Sequence, residues 1–433
     1  MQHQQLAALQ LRAEANDSEA QLQLAQLLAA SKDGERGALW LQRSAEAGNV
    51  SAVALLGAWL LLGYNLKQDE AAGIARLQDA AARGDAAASA FLATLHASGL
   101  AVPHDWRVAT QWLIAAARLG SDRAQTQLAL LVGATEKELR ARLLLAAATR
   151  GNAIAPYFLG KALLDVDRPD ARSSAGLWLG IAAAAGNPCA LRLVPPGAGS
   201  PQLPPVPMLD DAFWSRVRDA VDIQPLLAAP SVTTQRNDPQ LLTASRILPA
   251  ALCDYLIGVA APLLQRAEVN DALGQAQVHE MRTNSHTRFG LTNTDVIGVL
   301  AARRVAQVIG EPFENQEDTM VLRYLPGEAY DDHYDFVDPR VPQFQRELEL
   351  QGQRIATVLI YLNEEYSSGE TEFPELGWRY RGSQGDALAW RNVTAAGAPD
   401  SRTLHAGRPP ASGEKWLLSK WIRDRRQLGR LFS

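Results

Sequence analysis

Cysteine is nearly absent from this chain: 433 residues contain two, Cys189 and Cys253, in different segments, so neither a disulfide framework nor a cysteine-rich zinc site can form. A reducing, cytoplasmic setting is the expectation. Long apolar runs are missing as well. The longest, Ala52 to Gly63, falls short of the roughly 18 residues that suggest a membrane span, and the N-terminal MQHQQLAALQLRAEAND lacks the cationic lead and apolar centre of an export signal. Neither membrane association nor export is expected. There is no basic excess either, since 42 Lys and Arg stand against 47 Asp and Glu for a formal charge of -5, and no overall field draws the chain to nucleic acid. The basic tail of Arg423, Arg425, Arg426 and Arg430 accordingly reads as a solvated end. What the chain does have is 47% hydrophobic residues, enough to pack cores in two or three domains of usual size.

One unit recurs through the N-terminal half: an Ala-rich stretch, a Gly, then Ala four and Leu eight residues on. Gly48, Ala52 and Leu56 are followed by Gly84, Ala88 and Leu92, by Gly120, Ala124 and Leu128, by Gly151, Ala155 and Leu159, and by Gly186, Ala190 and Val194. Asn16, Ala20 and Leu24 make an earlier copy in which Asn replaces Gly, as the left-handed position after a helix tolerates. The spacing of four puts Ala and Leu on one helical face, and the Gly ends the helix before it, so each unit is a helix pair that stacks on its neighbours. Trp40, Trp112 and Trp178 fall at one place in their repeats and read as core. Residues 5 to 194 resemble the Sel1-like repeat family, relatives of tetratricopeptide repeats, which implies an all-α solenoid and a surface for a protein partner. No constellation for catalysis is visible in this half.

Residues 195–207, PPGAGSPQLPPVP, hold six prolines and no charge, which neither a helix nor a central strand survives. The expected division is therefore a repeat domain at 1–194, a linker at 195–207 and a second domain at 208–433. Beyond the linker, Leu252 to Ala267 and Val296 to Ile309 read as helices. Strand-like runs then dominate: Thr319 to Leu325, Arg354 to Leu362, Gly385 to Trp390, Ser401 to His405 and Lys415 to Arg423. Short, apolar and separated by Gly/Pro/Asp loops, they indicate an antiparallel barrel or double sheet.

His333 and Asp335 are alternate residues on an extended segment and could offer an imidazole and a carboxylate to one ion. By itself the pair reads as two solvated residues beside Asp331 and Asp332. His405, with Lys415 ten residues later opening another strand, strengthens the metal reading, because two His and one carboxylate leave open positions of the kind non-haem Fe(II) oxygenases use. His3, His96, His104, His279 and His286 read as surface or packing residues.

Five ordered segments over about residues 240 to 425 resemble the 2-oxoglutarate and Fe(II)-dependent dioxygenases of the prolyl 4-hydroxylase branch. They are ILPAALCDYLIG, MRTNS, FENQEDTMVLRYLPGEAYDDHYD, LIYLNEEYSSGETEFP and DSRTLHAGRPPASGEKWLLSKWIR. The resemblance implies a double-stranded β-helix (jelly-roll) domain, with His333, Asp335 and His405 on Fe(II) and Lys415 on the distal carboxylate of 2-oxoglutarate. Tyr324 and Thr371 fall where the family hydrogen-bonds that carboxylate, and Trp421 where it walls the pocket; Tyr330 matches a tyrosine near the substrate. Alternation agrees on one point, placing Lys415, Leu417, Ser419 and Trp421 on one strand face. Ser368 departs from the pattern, standing where the family has the first of two glycines, and 336–352 form a polar insertion where relatives have a loop over the peptide.

The implied activity is hydroxylation of a prolyl residue at C4 in a peptide or protein, with O2 as co-substrate and ascorbate as reductant. Three alternatives stand beside it. The same centre could act on another side chain or a small molecule. It could dealkylate nucleobases, which Lys415 in place of an Arg clamp and the charge balance disfavour. Or the chain could be a repeat-based adaptor with an inactive oxygenase domain.

Overall fold

The computed structural model describes residues 2–31, 33–166, 169–194, 205–267, 269–270, 276–277 and 281–427. They pack as two compact units, one of Met1–Leu128 with Met208–Ala220, the other of Ala129–Pro207 with Val221–Leu428. The repeats are thus shared between the units, and most of the proline-rich stretch, 195–204, lies outside the described residues.

In the first unit, helices Ser18–Ala30, Gly34–Glu46, Val50–Leu62, Glu70–Ala82, Ala86–Ser98 and Trp106–Arg118 follow one another through short turns, and Asp122–Leu131 begins there and ends in the second. The sequence landmarks explain the turns. Gly48, Gly84 and Gly120 have φ of 89°, 91° and 94°, the left-handed conformation that glycine adopts without a Cβ penalty. The residue after each closes the old helix and opens the new one: Asn49 donates its backbone N–H to the Ser44 carbonyl at 3.1 Å, while its side chain accepts from Ala52 N at 3.0 Å. Asp85 does the same with Ala80 and Ala88, and Ser121 with Ala116 and Ala124. The capped Ala and the Leu four residues later are all buried. Helices come closest where a side chain is missing altogether, for a Cβ on Gly57 would meet the Gly73 carbonyl at 2.9 Å. Trp40, Trp112 and Trp178 are half-buried rather than core, Trp40 lying against the small cluster of Ala13, Ala20 and Leu24.

The second unit opens with the same device. Gly151 and Gly186 are left-handed; the Asn152 side chain accepts from Ala155 N at the start of helix Ala155–Leu164, and Asn187 caps Pro188–Leu191. Its larger part is antiparallel: an eight-stranded and a four-stranded sheet, with two-stranded pairs of Tyr366–Ser368 with Pro410–Gly413 and of Val269–Asn270 with Ala276–Gln277. The eight-stranded sheet runs in the order Val232–Asn237, Gln240–Ala244, Ala387–Arg391, Arg354–Tyr361, Lys415–Arg423, Thr319–Tyr324, Ser285–Phe289, Gln265–Arg266. A four-stranded sheet has the order Trp378–Tyr380, Thr371–Phe373, His405–Gly407, Tyr330–His333. Helices Ala250–Ala260 and Val296–Ile309 complete this jelly roll, and a core of Met320, Tyr361, Phe373, Trp390 and Leu417, among others, fills the space between the sheets.

Two expected elements need correction, and one pair of strands is new. The helix expected over Leu252 to Ala267 ends at Ala260 and tightens into a 3-10 turn, because Pro262 has no N–H to continue it. Ser401–Thr403 is a 3-10 turn, with Asp400 accepting from Arg402 N, and the strand begins at His405. The hairpin of Val232–Asn237 and Gln240–Ala244 is an addition; its outer strand is exposed along its whole length and carries no apolar alternation to announce it. No described helix is long and apolar enough to cross a membrane.

Candidate metal centre

Strand pairing brings the two histidines together. His405, first residue of its strand, stands opposite His333, last residue of its own, in antiparallel register, with ring centres 4.2 Å apart. Asp335 lies just beyond the end of the His333 strand, with a carboxylate oxygen 3.7 Å from His333 Nε2 and the other 3.4 Å from His405 Nε2. One donor atom from each of the three lies within 4.8 Å of the others. Each imidazole is oriented by its far nitrogen: His333 Nδ1 donates to the Asp331 carbonyl at 2.7 Å, and His405 Nδ1 to the Thr403 carbonyl at 3.0 Å. A carbonyl can only accept, so each Nδ1 carries a proton and each Nε2 is turned toward Asp335.

The electrostatics suit a cation. Burial, with His405 beside it, pushes His333 down to about 3, which keeps its imidazole neutral near pH 7. Burial alone would raise the Asp335 carboxyl, but His405, His333 and a hydrogen bond from Thr357 hold it well below the usual carboxylate range. Two imidazoles and one carboxylate are the donor set that binds a divalent iron while leaving coordination positions open. The residues present therefore fit Fe(II).

A cavity of about 40 Å³ adjoins the three side chains, walled by Tyr324, Leu417 and Trp421 of the large sheet and Thr371 and Gly407 of the small one. Lys415 shares its strand face with Leu417, Ser419 and Trp421. Its side chain is fully buried and its ammonium has no hydrogen-bond partner. Burial pulls Lys415 down to about 7, with Glu370 acting in the opposite direction. Close by, the Tyr366 hydroxyl is also buried without a partner, and Thr371 Oγ1 shares a 2.9 Å hydrogen bond with the Tyr361 hydroxyl. A Cβ on Gly369 would touch both the Tyr366 ring and the Lys415 stem, which ties these groups to one corner. An orphaned ammonium and hydroxyl in one dry corner are what a bound carboxylate satisfies.

Tyr330 lies flat on His333, ring centres 3.5 Å apart and planes 12° from parallel, and the Arg282 guanidinium lies 4.7 Å from its ring centre. Trp421 carries Arg354 on its face at 3.7 Å. Seven of the eight residues singled out in the sequence line this cavity, and the eighth, Lys415, stands across the strand from Tyr324. The structure adds Tyr361, Trp390, whose ring meets His405 edge-on, and Thr357, which bonds Asp335. For Thr357 a signal existed: it is the one threonine in the apolar run Ile355 to Leu362.

Two facing antiparallel sheets around a pair of histidines and an aspartate, with a buried ammonium nearby, are the kind of site that Fe(II) and 2-oxoglutarate oxygenases use. The comparisons agree: residues 319–423 match the 2OG-Fe(II) oxygenase superfamily. The chain is 33% identical over 208 residues to prolyl 4-hydroxylase 2 of Arabidopsis thaliana, covering 43% of this chain and 68% of that one. It is 43% identical over 116 residues to a putative prolyl 4-hydroxylase of Acanthamoeba polyphaga mimivirus, covering 27% of this chain but only 48% of that relative, about half its length. Among solved structures, a viral collagen prolyl hydroxylase from Paramecium bursaria Chlorella virus-1 is 27% identical with a TM-score of 0.33, covering 42% of this chain and 94% of that one. A Sel1 repeat protein from Oxalobacter formigenes is 25% identical with a TM-score of 0.35, covering 41% and 77%. The chain belongs to the prolyl 4-hydroxylase family.

Proposed function

We propose that this chain is a dioxygenase that uses Fe(II), 2-oxoglutarate and O2 to hydroxylate a prolyl residue at C4 in a peptide or protein. The observation that carries the reading is a three-donor cation site whose pocket is lined by Tyr324, with the buried, unpartnered Lys415 directly across the strand from that tyrosine. His333, Asp335 and His405 are assigned to the iron, which when bound supplies the O2 activation and bond-breaking that no side chain here can perform. Lys415, with Tyr324 and Thr371, is assigned to the far carboxylate of 2-oxoglutarate, where an ammonium and two hydroxyls replace the water that the anion loses. Trp421 walls that pocket and excludes solvent, and Tyr330 is assigned to the substrate side of the cavity. Ascorbate is the proposed reductant for iron oxidised in unproductive cycles.

The repeats at 1–194 are assigned the recruitment of a protein substrate or partner, the 195–207 segment that of a linker, and 208–433 the chemistry. The two buried free cysteines support a cytoplasmic setting. The deciding experiment supplies Fe(II), 2-oxoglutarate and proline-bearing peptides and looks for succinate together with a +16 Da mass shift localised to proline. Succinate with oxygen placed on another residue would refute the prolyl assignment, and no iron-dependent succinate with any substrate would refute the enzyme.

A further inference from the structure

A carboxylate that helps to hold a metal must be aimed, because it turns about its Cβ–Cγ bond far more freely than an imidazole pinned through its other nitrogen. Asp335 follows the last residue of its strand by two and has no strand pairing of its own to aim it. Its carboxylate is instead gripped from the large sheet. Thr357, in the middle of the Arg354–Tyr361 strand, places its hydroxyl 2.7 Å from Asp335 Oδ2. Asn392 Nδ2 lies 3.0 Å from that same hydroxyl oxygen. All three side chains are buried.

The direction of this chain is fixed by chemistry. An ionised carboxylate can only accept, so Thr357 donates to Asp335; its single hydrogen is then used, so Thr357 accepts from the Asn392 amide. The backbone of Asn392 is otherwise satisfied, its N–H bonding the Ile355 carbonyl and its own carbonyl accepting from Asp400 N. Its side-chain oxygen, by contrast, is buried with no partner in the protein. A buried amide with half its hydrogen-bonding capacity unmet is costly to keep, and the bond to Thr357 is what this one delivers. Thr357 also stands in register with Trp390 on one side and Trp421 on the other, in the row that walls the cavity.

We propose that Thr357, locked by Asn392, is a positioning residue that aims the Asp335 carboxylate at the two imidazoles. This rests on the reading of His333, Asp335 and His405 as a metal-binding set. Outer groups of this kind commonly change metal affinity by about 10- to 100-fold when removed.

The test is an anaerobic titration of the full chain with Co(II), followed by its visible absorption, which reports ligand number and geometry without turnover. Thr357→Val keeps the shape and removes the hydroxyl. It is expected to weaken Co(II) binding by about 10- to 100-fold and to alter the absorption band, with far-UV circular dichroism unchanged. Thr357→Ser should restore affinity and band to near those of the unsubstituted protein, and Asn392→Ala should fall between. If Thr357→Val does not fold, Thr357→Ala and Asn392→Ala make the same comparison. Unchanged affinity and band in these variants would overturn the positioning role while leaving the metal site standing. Failure of the unsubstituted protein to bind Co(II) would overturn both.

Discussion

Lys415 stands directly across from Tyr324 in the antiparallel register of two central strands, its ammonium nitrogen 5.0 Å from the centre of the tyrosine ring. The ring faces the charge but offers it no hydrogen-bond acceptor in line, and the ammonium has no other partner. The same register sets the Tyr324 hydroxyl toward the small sheet, where a Cβ on Gly407 would lie 3.2 Å from it. The hydroxyl therefore belongs to a pocket built from both sheets, and the cation lies on the other side of the same ring.

Removing that cation should strand any anion the pocket holds. Lys415→Ala is expected to weaken 2-oxoglutarate binding by about 3 kcal/mol or more, roughly a hundredfold or greater. Co(II) affinity in the absence of 2-oxoglutarate should be unaffected. Calorimetric titration of each ligand separately checks both halves, and equal 2-oxoglutarate affinity in the variant would remove Lys415 from the pocket's function.

Proton linkage gives a second handle on the same group. Lys415 is held near 7 by burial, and the anion binds its charged form. Below about pH 7 the affinity for 2-oxoglutarate should be flat. Above it, a proton must be taken up with the anion, and the dissociation constant should climb by up to tenfold per pH unit. Titrations in buffers of different ionisation enthalpy measure the uptake directly; a constant affinity from pH 6 to 8.5 contradicts the assignment.

The three-donor set makes a simple prediction. Fe(II) and 2-oxoglutarate added together without oxygen should produce a weak visible band that neither gives alone. His333→Ala or Asp335→Asn should abolish it, whereas His96→Ala, in the repeats, should leave it intact.

Ser368 bears on stability rather than chemistry. Its φ of 59° places a serine in the left-handed region immediately before Gly369 at 73°. Ser368→Gly should relieve about 1 kcal/mol of backbone strain, partly offset by the greater freedom of glycine in the unfolded chain. Thermal unfolding should show a small rise in melting temperature, and a fall would mean that the serine side chain holds the bulge at Ser367 and Ser368.

A buried carboxylate on the Ala250–Ala260 helix joins the last repeats to the sheets within the second unit. Asp254 accepts from the Tyr157 hydroxyl at 2.7 Å, from the Lys161 ammonium at 2.7 Å and from Gln384 Nε2 at 2.8 Å. Tyr157→Phe should cost about 1.5–3 kcal/mol, the value of a hydrogen bond to a charged group. Chemical denaturation should show that loss in the midpoint, and an unchanged midpoint would make Lys161 and Gln384 sufficient by themselves.

Much of this was legible in the sequence because it depends on one residue or on simple alternation. The repeat glycines are visible since a left-handed turn selects its residue type, and Lys415 and Trp421 share a face because a strand has period two. Less visible were features set by partners distant in the chain. Asn392 reaches Thr357 across 35 positions, and nothing in the local pattern of either names the other. Asp254 looks like one polar residue on an apolar helix until Tyr157 and Lys161 arrive from the repeats. The half-burial of Trp40, Trp112 and Trp178 is of the same kind, since position within a repeat fixes the face but not how much of a large ring the neighbouring repeat covers.

The pairing of His333 with His405 has a mechanical consequence. An ion gripping both would clip two adjacent strands at their ends and close a long stretch of chain into a ring, as a disulfide does but removable by a chelator. Metal loading should thus appear as resistance of the loops between them to protease, so the centre that performs the reaction also tightens the vessel around it.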